Sequence, residues 1–182
     1  MTDYLALARK NPPFAAAAII AAAGVFTLAF VYYYQYVELL APCPLCLEQR
    51  VSYYVCIPLA VLLLLGANHG ANRKVLVLGF LAITGIMLWN TGLSAFHAGV
   101  EWKWWQGPLD CSGPLNNLGN ASSMLQQLQR VSIVRCDEAA WRLFGISMAG
   151  YDVFVSLALA VVALCGARGA WAEHWIQHAA QR

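Results

Sequence analysis

The sequence predicts an all-α membrane protein: a four-transmembrane-helix bundle whose last two spans are joined by a long outer loop. Three observations predict it. The 182 residues are 60% hydrophobic and only 11% charged, with a mean hydropathy of +0.58, far from the balance of a soluble domain. Four apolar runs reach or approach the roughly 20 residues of helix that cross a hydrocarbon layer of about 30 Å. Six of the eleven lysines and arginines lie at the two termini and in one short connection, while Lys103, Arg130, Arg135 and Arg142 are spread over the long outer segment, the pattern that orients membrane proteins. The formal net charge of +2 is too small to point to a nucleic-acid partner; the lipid bilayer is the partner that composition indicates.

A short polar start with Asp3, Arg9 and Lys10 runs into Pro12-Pro13. The first span, 14–37, carries no charge and closes on Tyr32, Tyr33, Tyr34 and Tyr36, an aromatic belt at a membrane interface. It is longer than the apolar region of a signal peptide, so a retained span is expected rather than a cleaved leader. A loop over 38–46 holds Glu38, Pro42 and a Cys-x-x-Cys pair. The second span, 47–66, has Arg50 near its outer end and Pro58 inside it, a residue that removes one backbone donor and can kink a helix.

Residues 67–74 make a tight polar connection with Asn68, His69, Asn72, Arg73 and Lys74, and the third span covers 75–96. The outer segment 97–147 begins with His97 and then Trp102, Trp104 and Trp105, read as interfacial anchors. Past Gly113-Pro114, Asn120 is a helix cap, and Met124, Leu125, Leu128 and Val131 share one face. That face has no core to cover it, so a short interfacial helix is expected there. The match of Asn120-Ala121-Ser122 to a glycosylation sequon matters only in a eukaryotic secretory pathway. The fourth span covers 148–167, with Asp152 near its start, where an acid suits a helix N-terminus. Arg9, Lys10, Arg73, Lys74, Arg168 and Arg182 then place both termini inside and both cysteine-bearing loops outside. The whole, 1–182, reads as a single integral membrane domain.

Of six cysteines, Cys43, Cys46, Cys111 and Cys136 fall on the outer side, and Cys56 and Cys165 inside spans. Cys56 lies about 15 Å along a helix from Cys46, too far to bridge, and both span cysteines read as small buried hydrophobes. Four cysteines on an oxidising face favour disulfides, most economically Cys43 with Cys46 and Cys111 with Cys136. Zinc is the rival use; a single Cys-x-x-Cys unit argues against it, and no metal is assigned. A guanidinium one helical turn beyond Cys46 stays charged, so Arg50 can favour a thiolate or hold an electronegative ligand. His97, at the outer end of the third span, lies at the level of Cys46 and Arg50. Its ordinary reading is an interfacial hydrogen bonder.

Cys43-Pro-Leu-Cys46-x-x-Gln-Arg50 between spans one and two, with two cysteines between spans three and four, resembles the DsbB family. These bacterial inner-membrane proteins reoxidise the periplasmic thiol oxidase DsbA. His97-x-Gly-Val-Glu-Trp-x-Trp-Trp-x-Gly-Pro, leading to Cys111, resembles one branch of it. The resemblance implies a quinone-dependent protein-disulfide oxidoreductase with both termini cytoplasmic and the loops at 38–46 and 97–147 periplasmic. It implies that Cys111 forms the mixed disulfide with a DsbA-like partner and that Cys136 exchanges with Cys43. Cys46 is then left as the thiolate facing a quinone, ubiquinone or menaquinone, drawn from the membrane pool. Arg50 and His97 match positions near that quinone. Cys56 and Cys165 stand outside the family pattern. Two alternatives from other classes are a four-span disulfide-stapled scaffold without catalysis and a quinone-linked thiol oxidoreductase. A tetraspanin-like scaffold would carry Cys-Cys-Gly in its long loop, which is absent. A vitamin K epoxide reductase-like enzyme would carry its Cys-x-x-Cys late in the bundle.

Overall fold

A computed structural model describes residues 11–108, 132–133, 136–139 and 141–180. Cys111 and the interfacial helix expected after Asn120 lie outside the described residues. Four helices form the fold: α1 Pro12–Tyr36, α2 Pro44–Asn68, α3 Arg73–Glu101 and α4 Met148–Ala180. All four are long and apolar enough to cross a membrane, the last over Met148–Ala172. The protein is a four-helix membrane bundle, and large side chains such as Phe26, Leu62, Leu78 and Trp89 lie on its outer surface, as lipid requires.

Each helix end follows from its residues. Asn11 caps α1: its Oδ1 accepts from the Phe14 N–H at 3.2 Å. Pro12 and Pro13 therefore belong to the first turn, two residues before the expected start, because an N–H missing there has no intrahelical partner to lose. The α2–α3 connection is tight. Gly70 takes φ 70° and the Ala71 N–H reaches the Gly66 carbonyl at 2.8 Å, a Schellman stop. Asn72 Oδ1 then accepts from the Lys74 N–H at 3.0 Å and starts α3. The α2 helix continues through Pro58.

Two short pairings complete the described elements. Strand β1 (Leu40–Ala41) runs parallel to β2 (Ser132–Ile133), and β3 (Arg142–Leu143) pairs antiparallel with β4 (Ile146–Ser147). The β3–β4 turn, Phe144-Gly145, has positive φ at both residues, the two-residue geometry that matches strand twist.

By compactness the chain divides into two units, one of Met1–Phe26, Ser52–Trp89 and Ser156–Arg182, the other of Thr27–Val51 and Asn90–Val155. In the first, small residues let the helices approach closely, as membrane packing favours. A Cβ on Gly24 would meet Ile57 at 2.8 Å, one on Gly79 would meet Leu63 at 2.5 Å, and one on Gly166 would meet Ala16 and Phe80 at 2.8 Å. Cys56 is buried in this unit as expected, but Cys165 is not a buried hydrophobe: it lies exposed on the outer face of α4, where an apolar span presents side chains to lipid. The second unit carries the outer loops. There Ser147 Oγ caps α4 by accepting from the Gly150 N–H at 3.1 Å. Asp152, which the sequence reading placed in the service of that N-terminus, instead accepts from Asn90 Nδ2 at 3.0 Å and from Ser94 Oγ. A hydroxyl three residues before the N–H it binds is the better cap, which leaves the carboxylate for the buried polar side chains of α3.

Candidate active site

The Cys-x-x-Cys pair is built into the first turn of α2. Cys43 is the N-cap: its carbonyl accepts from the Leu47 N–H at 3.1 Å and its Sγ from the Cys46 N–H at 3.2 Å. Pro44 takes the first helical position, where its fixed φ suits the helix. An N-cap side chain reaches the N–H three residues on, so the two-residue spacing holds Cys43 Sγ against the Cys46 backbone. The helix start also brings partial positive charge to the sulfurs. The Cys43 thiol is nevertheless pushed up, first by its hydrogen bond with the Cys46 side chain and then by burial.

Helix α3 runs to Glu101, one turn beyond the expected span, and so carries His97 on its last full turn. His97 is buried, with Nε2 3.7 Å from Cys43 Sγ and Nδ1 3.2 Å from the Gln49 amide. Glu101 follows one turn later, its Oε1 3.9 Å from His97 Nε2. It is buried, hydrogen-bonds the Ser147 side chain, and leaves Oε2 without a partner among the described residues.

The end of α3 is locked by the tryptophans. Lys103 takes φ 60° and the Trp104 N–H reaches the Gly99 carbonyl at 2.9 Å, which closes a second Schellman stop. Trp105 folds back to give Nε1–H to the Phe96 carbonyl at 2.8 Å and to stack on the Phe96 ring. A Cβ on Gly99 would lie 2.0 Å from the Trp105 ring, so any other residue there must displace the indole. Trp105 is thus a clamp on the helix turn that bears His97 and Glu101, as well as an aromatic side chain near the interface.

Arg50, one turn beyond Cys46, is 8% exposed. Its Nη1 donates to Gln35 Oε1, and its Cζ lies 5.3 Å from the centre of the Tyr32 ring. Cys136 comes in from the long loop and is fully buried with Cys43, Leu45 and Val100, Cys46 packing against the same group. The parallel register Leu40 with Ser132 and Ala41 with Ile133 explains the meeting. Both strands run the same way, and each delivers a cysteine within three residues of its end. Cys43, Cys46, Cys56, Cys136 and Cys165 are free thiols in this structure.

Of the residues singled out by sequence, Cys43, Cys46, Cys136, Arg50 and His97 fall in this one unit, and Cys111 lies outside the described residues. Sequence reasoning missed four contributors. Tyr32 was read only as belt, and Gln35 and Gln49 carry no charge to draw the eye. Glu101 had a signal: it stands four residues after His97, one helical turn away.

The family described as Disulfide bond formation protein DsbB matches residues 13–166. A "Disulfide bond formation protein B" of Xanthomonas axonopodis pv. citri is 36% identical over 149 residues, 77% of this chain and 81% of the relative. The protein of the same name from Hahella chejuensis is 29% identical over 166 residues, 87% of this chain and 89% of the relative. That from Xylella fastidiosa is 28% identical over 143 residues, 75% and 79%.

Proposed function

The chain belongs to the DsbB family, and from that premise we propose that it reoxidises a periplasmic DsbA-like dithiol oxidase and passes the electrons to a membrane quinone. Family membership makes it a disulfide oxidoreductase of disulfide bond formation and a multi-pass membrane protein. The observation that carries the finer reading is the burial of Cys136 against Cys43, which brings a long-loop sulfur to the Cys-x-x-Cys pair.

In this reading the resting protein holds the disulfides Cys43–Cys46 and Cys111–Cys136. A partner thiolate attacks Cys111, forms a mixed disulfide and releases Cys136 as thiolate. Cys136 attacks Cys43, a Cys43–Cys136 bond forms, and Cys46 leaves as thiolate. The partner's second thiolate then resolves the mixed disulfide and frees Cys111. Cys111 recaptures Cys136, and the electron pair remains on Cys43 and Cys46. These thiolate exchanges move no proton; His97, 3.7 Å from Cys43 Sγ, is placed to give a proton to Cys43 once it is left as thiolate and to take it back.

A bound quinone supplies the acceptor for two electrons and two protons. The residues fit such a group. Arg50 offers a permanent charge one turn from Cys46, Tyr32 offers a ring, and Leu47 and Val51 give the same stretch of helix an apolar outer surface. Ubiquinone and menaquinone both suit these contacts. We place the protein in the bacterial inner membrane with both termini in the cytoplasm. Reporter fusions after Lys74 and Arg182 should read as cytoplasmic and one near Asn117 as periplasmic.

The direct test is turnover. Purified protein should oxidise a DsbA-like dithiol in the presence of either quinone and fail without one. Quinone-independent oxidation at the same rate rejects the reading.

A further inference from the structure

We propose that the dithiol form of this chain holds a thiophilic divalent cation, zinc in the first instance, on Cys43, Cys46, His97 and Glu101. This ligand set differs from a site made of the four outer cysteines, and it stands independently of the quinone reading. The ligand atoms of Cys43, Cys46 and His97 lie within 4.8 Å of one another.

The separations match the coordination. Zinc bound tetrahedrally at about 2.3 Å to sulfur and about 2.0 Å to nitrogen holds those atoms about 3.5 Å apart. Cys43 Sγ and His97 Nε2 stand 3.7 Å apart. A carboxylate oxygen bound at about 2.1 Å stands about 3.4 Å from the same nitrogen. Glu101 Oε1 is 3.9 Å from that nitrogen but lies outside the 4.8 Å cluster of the other three, so its side chain must swing toward the sulfurs to take the fourth position.

A second observation points to a ligand. Glu101 is a buried carboxyl with one oxygen unpartnered among the described residues, although a buried polar atom normally finds a partner. A third concerns the far side of His97. Gln49 Nε2 lies 3.2 Å from His97 Nδ1; a half-turn of that amide puts its oxygen there to accept Nδ1–H and frees the His97 Nε2 lone pair for the cation. Outer partners of this kind orient metal-bound histidines.

The charges also close. Among the buried groups, two thiolates, the Glu101 carboxylate, the neighbouring Arg50 guanidinium and a divalent cation sum to zero, with Arg142 acting on Glu101 from the exposed side. Binding releases the two thiol protons to solvent and moves no electrons. Joining Cys43 to Cys46 removes both sulfur ligands, so the site exists only in the reduced chain. An occupied site holds both sulfurs away from exchange.

The test is a cobalt titration of the full chain in detergent, reduced by a phosphine that is then removed. The expected result is one Co²⁺ per chain, with thiolate-to-cobalt charge transfer and the visible bands of tetrahedral cobalt, both displaced by Zn²⁺. Cys136→Ser and Cys56→Ser should leave the spectrum in place. His97→Ala and Glu101→Gln should each weaken binding by roughly tenfold or more. Protein oxidised to the Cys43–Cys46 disulfide, which needs no substitution, should show no charge transfer. Equal binding by the oxidised protein means an adventitious ion only and overturns the proposal. Loss in Cys136→Ser with retention in His97→Ala overturns it too, by moving the ion to the cysteines of the long loop.

Discussion

Cys43 Sγ approaches His97 Nε2 to 3.7 Å across 54 residues of chain, and the contact joins two helix ends with different reasons for stopping there. Cys43 is where α2 must begin, because Pro44 follows it. His97 lies on the last turn of α3, which the Trp104 amide and the Trp105 ring close over Gly99. The sulfur that Cys136 attacks in the proposed relay thus faces a ring that can exchange a proton with it, and both are set by local backbone chemistry.

The Cys43 proton is open to measurement. Its thiol is pushed up by the hydrogen bond to Cys46 and by burial, so the folded protein favours the protonated form. Alkylation at Cys43 should be slow at neutral pH and should quicken only above the ordinary thiol value of about 8.5. The stability that this shift supplies is present below that ordinary value and is lost as pH climbs toward the raised one. Peptide mass spectrometry of the reduced protein, alkylated over a pH series, gives the rate. Labelling of Cys43 at neutral pH as fast as a solvent-exposed cysteine contradicts the assignment.

The cysteines should separate into two classes. Serine at Cys43, Cys46, Cys111 or Cys136 should abolish quinone-dependent oxidation of a DsbA-like dithiol, because each breaks one exchange. Cys56→Ser and Cys165→Ser should retain turnover, since one is buried in the other unit and the other is exposed. Cys56→Ser puts a hydroxyl into an apolar site and should cost about 1–3 kcal/mol of stability. Full turnover in Cys111→Ser would exclude the relay.

How much of this was legible in the sequence depends on the kind of signal. The four helices were plain, because an uncharged run such as Phe14–Val37 has few alternatives in water or lipid. The turn at Gly70 and Asn72 lay in a stretch already read as a tight polar connection. The site was legible only where sequence neighbours share a helix turn, as Cys46 and Arg50 do. Gln35 and Tyr32 meet Arg50 from α1, and nothing local to either residue announces it. Asp152 shows the same limit: its position suggested a helix N-terminus, while its partners Asn90 and Ser94 lie some 60 residues away. Cys111 stays a reading of the sequence alone.

Glycine at 99 should be indispensable to the clamp on α3. A Cβ there would sit 2.0 Å from the Trp105 ring, so Gly99→Ala must expel the indole and break its bond to the Phe96 carbonyl. Overpacking of this kind costs about 1–3 kcal/mol. The loss should fall on the turn carrying His97 and Glu101, lowering turnover together with thermal stability. Trp105→Ala removes the ring without the clash, and the double variant should be no worse than Trp105→Ala alone. Thermal unfolding of the three variants in detergent measures the coupling. Simple additivity of the two single effects would dismiss the clamp.

The last expectation concerns Arg50, whose charge should matter more than its bulk. The guanidinium is buried, holds Gln35 Oε1 and lies over the Tyr32 ring one turn past Cys46. Loss of a charge-assisted contact costs about 1.5–3 kcal/mol, roughly a tenfold to hundredfold change in an equilibrium. Arg50→Ala should raise the quinone concentration needed for half-maximal turnover by that factor. Arg50→Lys keeps the charge but lacks the planar fork and stacks less well on an aromatic ring, so it should recover only part of the loss. Tyr32→Leu should produce a smaller shift in the same direction, since it removes the ring while leaving the charge and Gln35 in place. Exchange between Cys111–Cys136 and a DsbA-like dithiol, followed without quinone, should be nearly unchanged in all three, because that step occurs in the long loop. Quinone titrations beside the quinone-free assay separate the effects. An unaltered quinone dependence in Arg50→Ala would return this residue to a membrane-edge arginine, its head paired with Gln35 for solvation and nothing more.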